Sequence, residues 1–276
     1  MRPSTCLALG ALALSAACSV SERDEREIGS SEAASIDSQV PIVDDTAITQ
    51  FVTRLGRSLA AQTGRAEPDW HFTVVNAWPV NAFALPGGYV YVTRGLIEQS
   101  DRLDALAGVM AHEVAHVARR HTAKQIEKAH KQDVGVVLLC TLTGMCRTLG
   151  GAIAVQIGTE AQTAQYSQRH EAEADSVGVI ITTRAGIDPE GLPRFLETVL
   201  AERAERPTPL EAFFASHPTD ESRIAALRTE IAALGPSRGA TLIQDTPEFR
   251  AFRDRVRALP LPPPPYDTLG APARRQ

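Results

Sequence analysis

A chain of 276 residues with 43% hydrophobic positions holds enough apolar material for one folded domain of about 200 residues, which excludes a wholly disordered protein. Its 28 basic and 33 acidic residues leave a formal charge of −5, and aromatic residues make up 5%. A slightly acidic chain without a basic stripe and with few stacking side chains argues against nucleic acid as a partner.

At the amino terminus, Arg2 precedes an apolar run from Leu7 to Ala17. That is the length of a signal-peptide core and falls short of the roughly 20 residues that a membrane-spanning helix needs. Leu14, Ser15, Ala16 and Ala17 lead into Cys18, an order that resembles the lipobox of bacterial lipoproteins, although Leu there usually stands one residue closer to Cys. The resemblance implies cleavage and lipidation at Cys18 and, with Ser19 next, an outer-membrane destination; simple cleavage near Ala17 is the alternative. Residues 1–18 therefore read as a signal peptide. Residues 19–42, rich in Ser, Glu, Arg and Asp without apolar periodicity, read as a flexible, solvated tether.

The folded domain is expected over residues 43–257. Ile48, Phe51, Val52, Leu55 and Leu59 recur at helical spacing, and Gly64 with Pro68 stops that helix. The stretches His71 to Val75 and Tyr89 to Thr93 read as strands. Between them, Asn81 to Gly88 suits an irregular edge strand followed by a tight turn. Ser100 reads as the N-cap of a long helix reaching about Lys131, with Asp101 and Asp104 in its first turn. Leu103, Leu106, Met110, Val114 and Val117 form its core stripe, while Ala105, Gly108, His112 and His116 share another face.

The apolar, Gly-rich segment Val134 to Gly158 carries Arg147 near its middle. A charge at mid-bilayer costs roughly 2.5 to 3.5 kcal/mol, so the segment reads as a helical hairpin packed on the domain, as core or as a lid over a groove. Cys140 and Cys146 within it either close a small disulfide loop or stand as two buried thiols. Further helices are expected from Gln168 to Ala185, from Asp188 and Pro189 to about Glu205, and through Ile224, Leu227 and Ile231. Residues 258–276 read as a Pro-rich, disordered tail.

Inside the long helix, His112, Glu113, Val114, Ala115 and His116 spell HEVAH. Residues four apart lie one turn above each other, so both imidazoles reach one zinc ion while Glu113 sits beside a metal-bound water. A catalytic zinc takes three protein ligands and keeps an open position. A histidine six residues after His116 would complete one known arrangement, but Thr122 stands there, and His121 reads as a helix-surface or supporting residue. Glu171 and Asp175, four apart in the later helix, supply the better candidates: Glu171 to bind the metal, Asp175 to accept the other ring N–H of a ligand histidine. Glu173 and His170 read as solvated.

Taken with the segment Asn81-Ala82-Phe83-Ala84-Leu85-Pro86-Gly87-Gly88, Thr93 to Leu96, Arg120 and His121, and His217-Pro218 with Arg223, these motifs resemble the zinc metallopeptidases grouped with the CAAX prenyl protease and HtpX. The likeness spans about residues 43–257 and is greatest to the BepA-like and LoiP-like bacterial branch. It implies an α+β, mainly α, gluzincin-type domain whose small antiparallel sheet borders the active site with an edge strand. It further implies one Zn2+ per chain on His112, His116 and Glu171, with Glu113 as general base and Asp175 behind a ligand. The likeness also makes His217 and Arg223 catalytic residues, His217 either covering the zinc as an inhibitory fourth ligand or stabilising the transition state. Asn81, Ala82, Phe83 and Ala84 would bind substrate by strand pairing, unless Phe83 is a core residue. Two departures stand out: no C-terminal array of helical repeats is present in these residues, and Gln168 replaces an Arg common in relatives.

The expected function is a zinc-dependent endopeptidase in the periplasm, anchored to the outer membrane and acting on unfolded or misassembled envelope proteins. The alternative is a chaperone-like, zinc-containing lipoprotein that holds clients without cutting them.

Overall fold

The computed structural model describes residues 20–65, 69–128, 167–205, 210–235 and 241–263. The expected signal peptide with Cys18, the segment Val134 to Gly158 with Cys140 and Cys146, and the tail beyond residue 263 lie outside the described residues. Among the described residues, no helix is long and apolar enough to cross a membrane.

The stretch expected to be a tether instead holds helix α1, Glu22–Asp37. Ser21 opens it with a capping box: the Ser21 side chain accepts from Asp24 N, and the Asp24 carboxylate accepts from Ser21 N. Helix α2, Thr46–Ala60, starts on the Asp45 cap and buries Ile48, Phe51, Val52, Leu55 and Leu59, the residues whose spacing predicted it. Gly64, in the left-handed conformation at φ 72°, ends the 3-10 turn that follows.

Strands β1 (His71–Val75), β2 (Ala82–Leu85) and β3 (Tyr89–Thr93) form one sheet in the order β1-β3-β2. The sheet is mixed, not antiparallel. The 3-10 turn Pro86–Gly88 folds β3 back against β2, whereas β1 lies on the far side of β3 and runs parallel to it. A bridge between Ile42 and Val75 covers part of the β1 edge, and β2 is the other edge. One face of the sheet, with Phe72, Val74, Ala82, Ala84, Val90 and Val92, joins the main core. The opposite face packs Val75, Phe83, Leu85, Tyr89 and Tyr91 against Ala33, Ile36 and Val40, in and just after α1.

Thr93 caps the short helix α3, Arg94–Gln99. Ser100 terminates that helix, its hydroxyl donating to Leu96 O, and so does not cap the next one. Helix α4, Leu103–Ala118, starts at Arg102 and is buried along nearly its whole length. A helix apolar on all sides belongs at the centre of a domain, and α2, β2 and two later helices pack around it. The expected continuation to Lys131 is broken. Arg119 ends α4, Arg120 turns left-handed at φ 58°, and a new helical stretch covers residues 121–128. A non-glycine residue in that conformation costs roughly 1 to 2 kcal/mol, and Arg120 is held there by the Glu25 carboxylate and the Val20 carbonyl at the start of α1.

Helices α5 (Gln168–Arg184), α6 (Gly191–Glu205), α7 (Glu211–Ser216), α8 (Glu221–Ala233) and α9 (Pro247–Arg257) complete the described chain. Phe252 of α9 stacks on Phe51 at 4.1 Å, closing the core under α2. The first residues of the expected tail are also fixed: the buried Arg94 guanidinium donates to the carbonyls of Arg257, Leu259 and Pro260.

Helix α1 buries little apolar surface, so its docking depends on close backbone fit and on polar contacts to Arg120, Arg65 and Tyr91. At Gly29 an added Cβ would lie 1.8 Å from Pro86 O. Overpacking of this kind costs about 1 to 3 kcal/mol. Gly29→Ala is therefore expected to lower the urea midpoint and open α1 to proteolysis, and an unchanged midpoint would show that α1 is not held there.

Candidate metal centre

The site is built where α4 and α5 come closest. Gly178 of α5 faces the backbone at His112, where an added Cβ would stand 3.3 Å from His112 N. This close approach, with the 3.6-residue repeat, sets Glu171 and Asp175 one turn apart over the two motif histidines.

His112 Nε2 and His116 Nε2 stand 2.9 Å apart. The Glu171 carboxylate reaches both, with Oε2 3.4 Å from His112 Nε2 and Oε1 3.3 Å from His116 Nε2. From the turn after α7, His217 brings Nδ1 to 3.3 Å from His112 Nε2 and 3.3 Å from Glu171 Oε2. All four residues are buried, and one ligand atom from each lies within 4.8 Å of the others.

This donor set fits a cation. Asp175 Oδ1 lies 2.9 Å from His112 Nδ1, which assigns the His112 proton to Nδ1 and leaves a lone pair on Nε2. That lone pair points at a second imidazole nitrogen and a carboxylate, an arrangement of acceptors that a positive ion relieves. Two imidazoles and a carboxylate are the usual ligands of catalytic zinc, and bonds of about 2.0 to 2.1 Å in a tetrahedron put ligand atoms roughly 3.3 Å apart. Four of the five contacts above match that spacing, and the two motif nitrogens are closer at 2.9 Å.

Burial lowers the His116 pKa to about 3, so its ring stays neutral and able to ligate. Burial would raise Glu171, but its contacts with His112, His116 and His217 outweigh it and hold the carboxyl ionised. Burial opposes a charge on His217 too, yet the carboxylates of Glu113 and Glu171 raise it to about 10. Glu113 is buried beside the group, with Oε1 3.2 Å from His217 Nε2. The His217 ring thus spans from the ligand cluster to Glu113.

Arg223, in the first turn of α8, grips Asp175 with Nε at 2.7 Å and Nη2 at 2.8 Å, and reaches Glu171 Oε2 with Nη1 at 2.9 Å. Its guanidinium therefore braces one candidate ligand and the acceptor behind another. The resemblance implied a catalytic role for Arg223; in the structure its Nε, Nη1 and Nη2 reach these two carboxylates.

Of the two readings of His121, surface or supporting, the structure excludes the first: the side chain is fully buried, with Nδ1 3.0 Å from His116 Nδ1. Glu173, read as solvated, lies 3.3 Å from His121 Nε2, and the His170 ring stacks on His121 at 4.4 Å. The break at Arg120 brings His121 inward, and no Gly or Pro in the sequence announces it.

Strand β2, with Ala82 and Ala84 turned into the core, packs against α4 and forms the sheet edge on that side. The Phe83 ring stacks on Tyr91 at 4.8 Å and joins the cluster under α1. Asn81 precedes β2, its amide N donating to Thr93 Oγ1 and its buried side-chain oxygen without a hydrogen-bond partner.

Residues 47–231 match the model of peptidase family M48. The chain belongs to this family. It is 30% identical over 255 residues to the beta-barrel assembly-enhancing protease of Escherichia coli strain K12, covering 89% of this chain and 50% of that protein. It is 30% identical to the mitochondrial metalloendopeptidase OMA1 of Schizosaccharomyces pombe over 64% of this chain and 51% of that protein. Identity to the metalloprotease LoiP of Escherichia coli strain K12 is 28%, over 68% of this chain and 71% of that protein. The chain thus spans about half the length of the assembly-enhancing protease.

Removing one partner from a buried ion pair costs about 3 to 5 kcal/mol, because the charge left behind has lost its solvation. Arg223→Ala is accordingly expected to destabilise the zinc-free protein by about that amount, with a larger loss when zinc is present, because Glu171 and His112 are then held less well for the ion. Urea titrations with and without zinc measure both, and equal losses in the two states would contradict the bracing role.

Proposed function

We propose that this M48 chain is a zinc-dependent endopeptidase of the bacterial cell envelope that hydrolyses peptide bonds in unfolded or misassembled proteins. The observation that carries the reading is the buried Glu113 carboxylate beside the converging His112, His116 and Glu171. A structural metal site has no need of a base at that position. The names of the relatives, an assembly-enhancing protease, a metalloendopeptidase and a metalloprotease, support proteolysis. Export and a lipid anchor at Cys18 remain supported by the amino-terminal residues alone.

One zinc ion on His112, His116 and Glu171 would supply Lewis-acid polarisation of the scissile carbonyl and a lowered pKa for a water. Glu113 takes a proton from the attacking water as its oxygen bonds to the carbonyl carbon. As the carbon–nitrogen bond breaks, Glu113 hands that proton to the leaving amine. Asp175 and Arg223 keep His112 and Glu171 in place throughout. An extended substrate adds to the β2 edge through main-chain hydrogen bonds, which read backbone more than side chain and suit unfolded clients.

Glu113→Gln is expected to retain zinc and lose cleavage of an unfolded protein, and chelation of the wild type is expected to do the same reversibly. Equal cleavage by the variant would reject the mechanism, while zinc-loaded wild type that never cleaves would favour the chaperone-like alternative.

His217 occupies the space between Glu113 and the ligand cluster, where a substrate carbonyl and water have to enter. We read it as a cover. His217→Ala is then expected to raise basal peptide cleavage severalfold; a fall would assign His217 to transition-state stabilisation instead.

A further inference from the structure

We propose that His121 is a positioning residue for the metal centre, accepting a hydrogen bond from His116 Nδ1 and so fixing the tautomer and tilt of that ring. The inference rests on the zinc reading above and extends it to a side chain outside both ligand motifs.

His116 directs Nε2 into the cluster, 3.3 Å from Glu171 Oε1. A ring that ligates through Nε2 carries its hydrogen on Nδ1, and His121 Nδ1 stands 3.0 Å from that atom. Accepting there leaves the His121 hydrogen on Nε2, which faces Glu173 Oε2 at 3.3 Å. A carboxylate, two imidazoles and the ion site thus form one run in which each N–H meets an acceptor. His112 has the equivalent support from Asp175, with Arg223 behind it.

The surroundings hold the His121 ring in this pose. His116 meets it at 76°, and His170 lies against it at 11°. Its backbone position depends on the left-handed Arg120. In an unbroken helix residue 121 would sit about 140° around the axis from residue 116, facing away from it. A buried position needed only for packing is better filled by an apolar side chain, since an imidazole there loses its hydration. His121 is fully buried, while the Glu173 side chain keeps 35% of its exposure at the rim.

The test uses the full chain, with zinc affinity measured against a chromophoric chelator and thermal melting followed with and without zinc. His121→Ala is expected to weaken zinc binding about 10- to 100-fold, the usual loss when the group behind a metal ligand is removed. It should also shrink the rise in melting temperature that zinc produces, whereas a merely structural role would lower both melts alike. His121→Asn, whose side-chain oxygen can accept from His116 Nδ1, should recover most of the affinity, and Glu173→Ala should fall between. Wild-type affinity in His121→Ala, or His121→Asn as weak as His121→Ala, overturns the assignment. Should His121→Ala not fold, Glu173→Ala decides: reduced affinity supports the role and unchanged affinity rejects it. Wild-type protein that takes up no zinc would instead overturn the metal reading itself.

Discussion

Everything in this molecule is arranged around one electrostatic problem: His112, His116, Glu171 and His217 are buried together at the junction of α4, α5 and the turn after α7. Bringing a carboxylate and several imidazole nitrogens out of water is costly unless a cation or a full set of hydrogen bonds compensates. The surrounding side chains are the compensation. Asp175 takes the outward N–H of His112, Arg223 neutralises Asp175 and Glu171, and His121 and Glu173 close the side behind His116. The apolar surroundings of α4 make this network effective, because charges attract more strongly where water is excluded.

The same network draws its side chains from two kinds of element. Glu171 and the two motif histidines sit on long helices whose packed faces fix them. His217 follows α7, a helix of only six residues, and its ring meets Glu113 and Glu171 at 3.2 to 3.4 Å.

The candidate ligand residues were legible because helical spacing is strict: residues four apart share a face whether or not the fold is known, which paired His112 with His116 and Glu171 with Asp175. What that spacing could not reveal was anything depending on two distant elements meeting. Arg223 lies 48 positions from Asp175, and nothing local to either predicts their ion pair. The end of α4 was misread because its stop is a strained Arg120, stabilised by Glu25 from far up the chain rather than by a local breaker. The parallel pairing of β1 with β3 was missed for a similar reason, since alternation marks a strand but not its direction. Helix α1 was taken for a tether because it docks through Gly29, Ala33 and charged contacts, which leave no apolar stripe to find.

That last correction changes the geometry of any anchor placed at Cys18. A free tether over residues 19–42 could reach roughly 80 Å when extended. With α1 laid across the sheet, four residue steps separate Cys18 from Glu22, and these span at most about 14 Å. An attachment at Cys18 would therefore hold the domain close to its anchor. It would also pull on the end of α1 whose Val20 carbonyl and Glu25 carboxylate keep Arg120 in its left-handed turn. Because His121 is the next residue, the chain entering the domain and the ring behind His116 are joined through one arginine. The amino-terminal helix is thus part of what shapes the candidate metal centre, and a domain boundary drawn at residue 43 would remove that support.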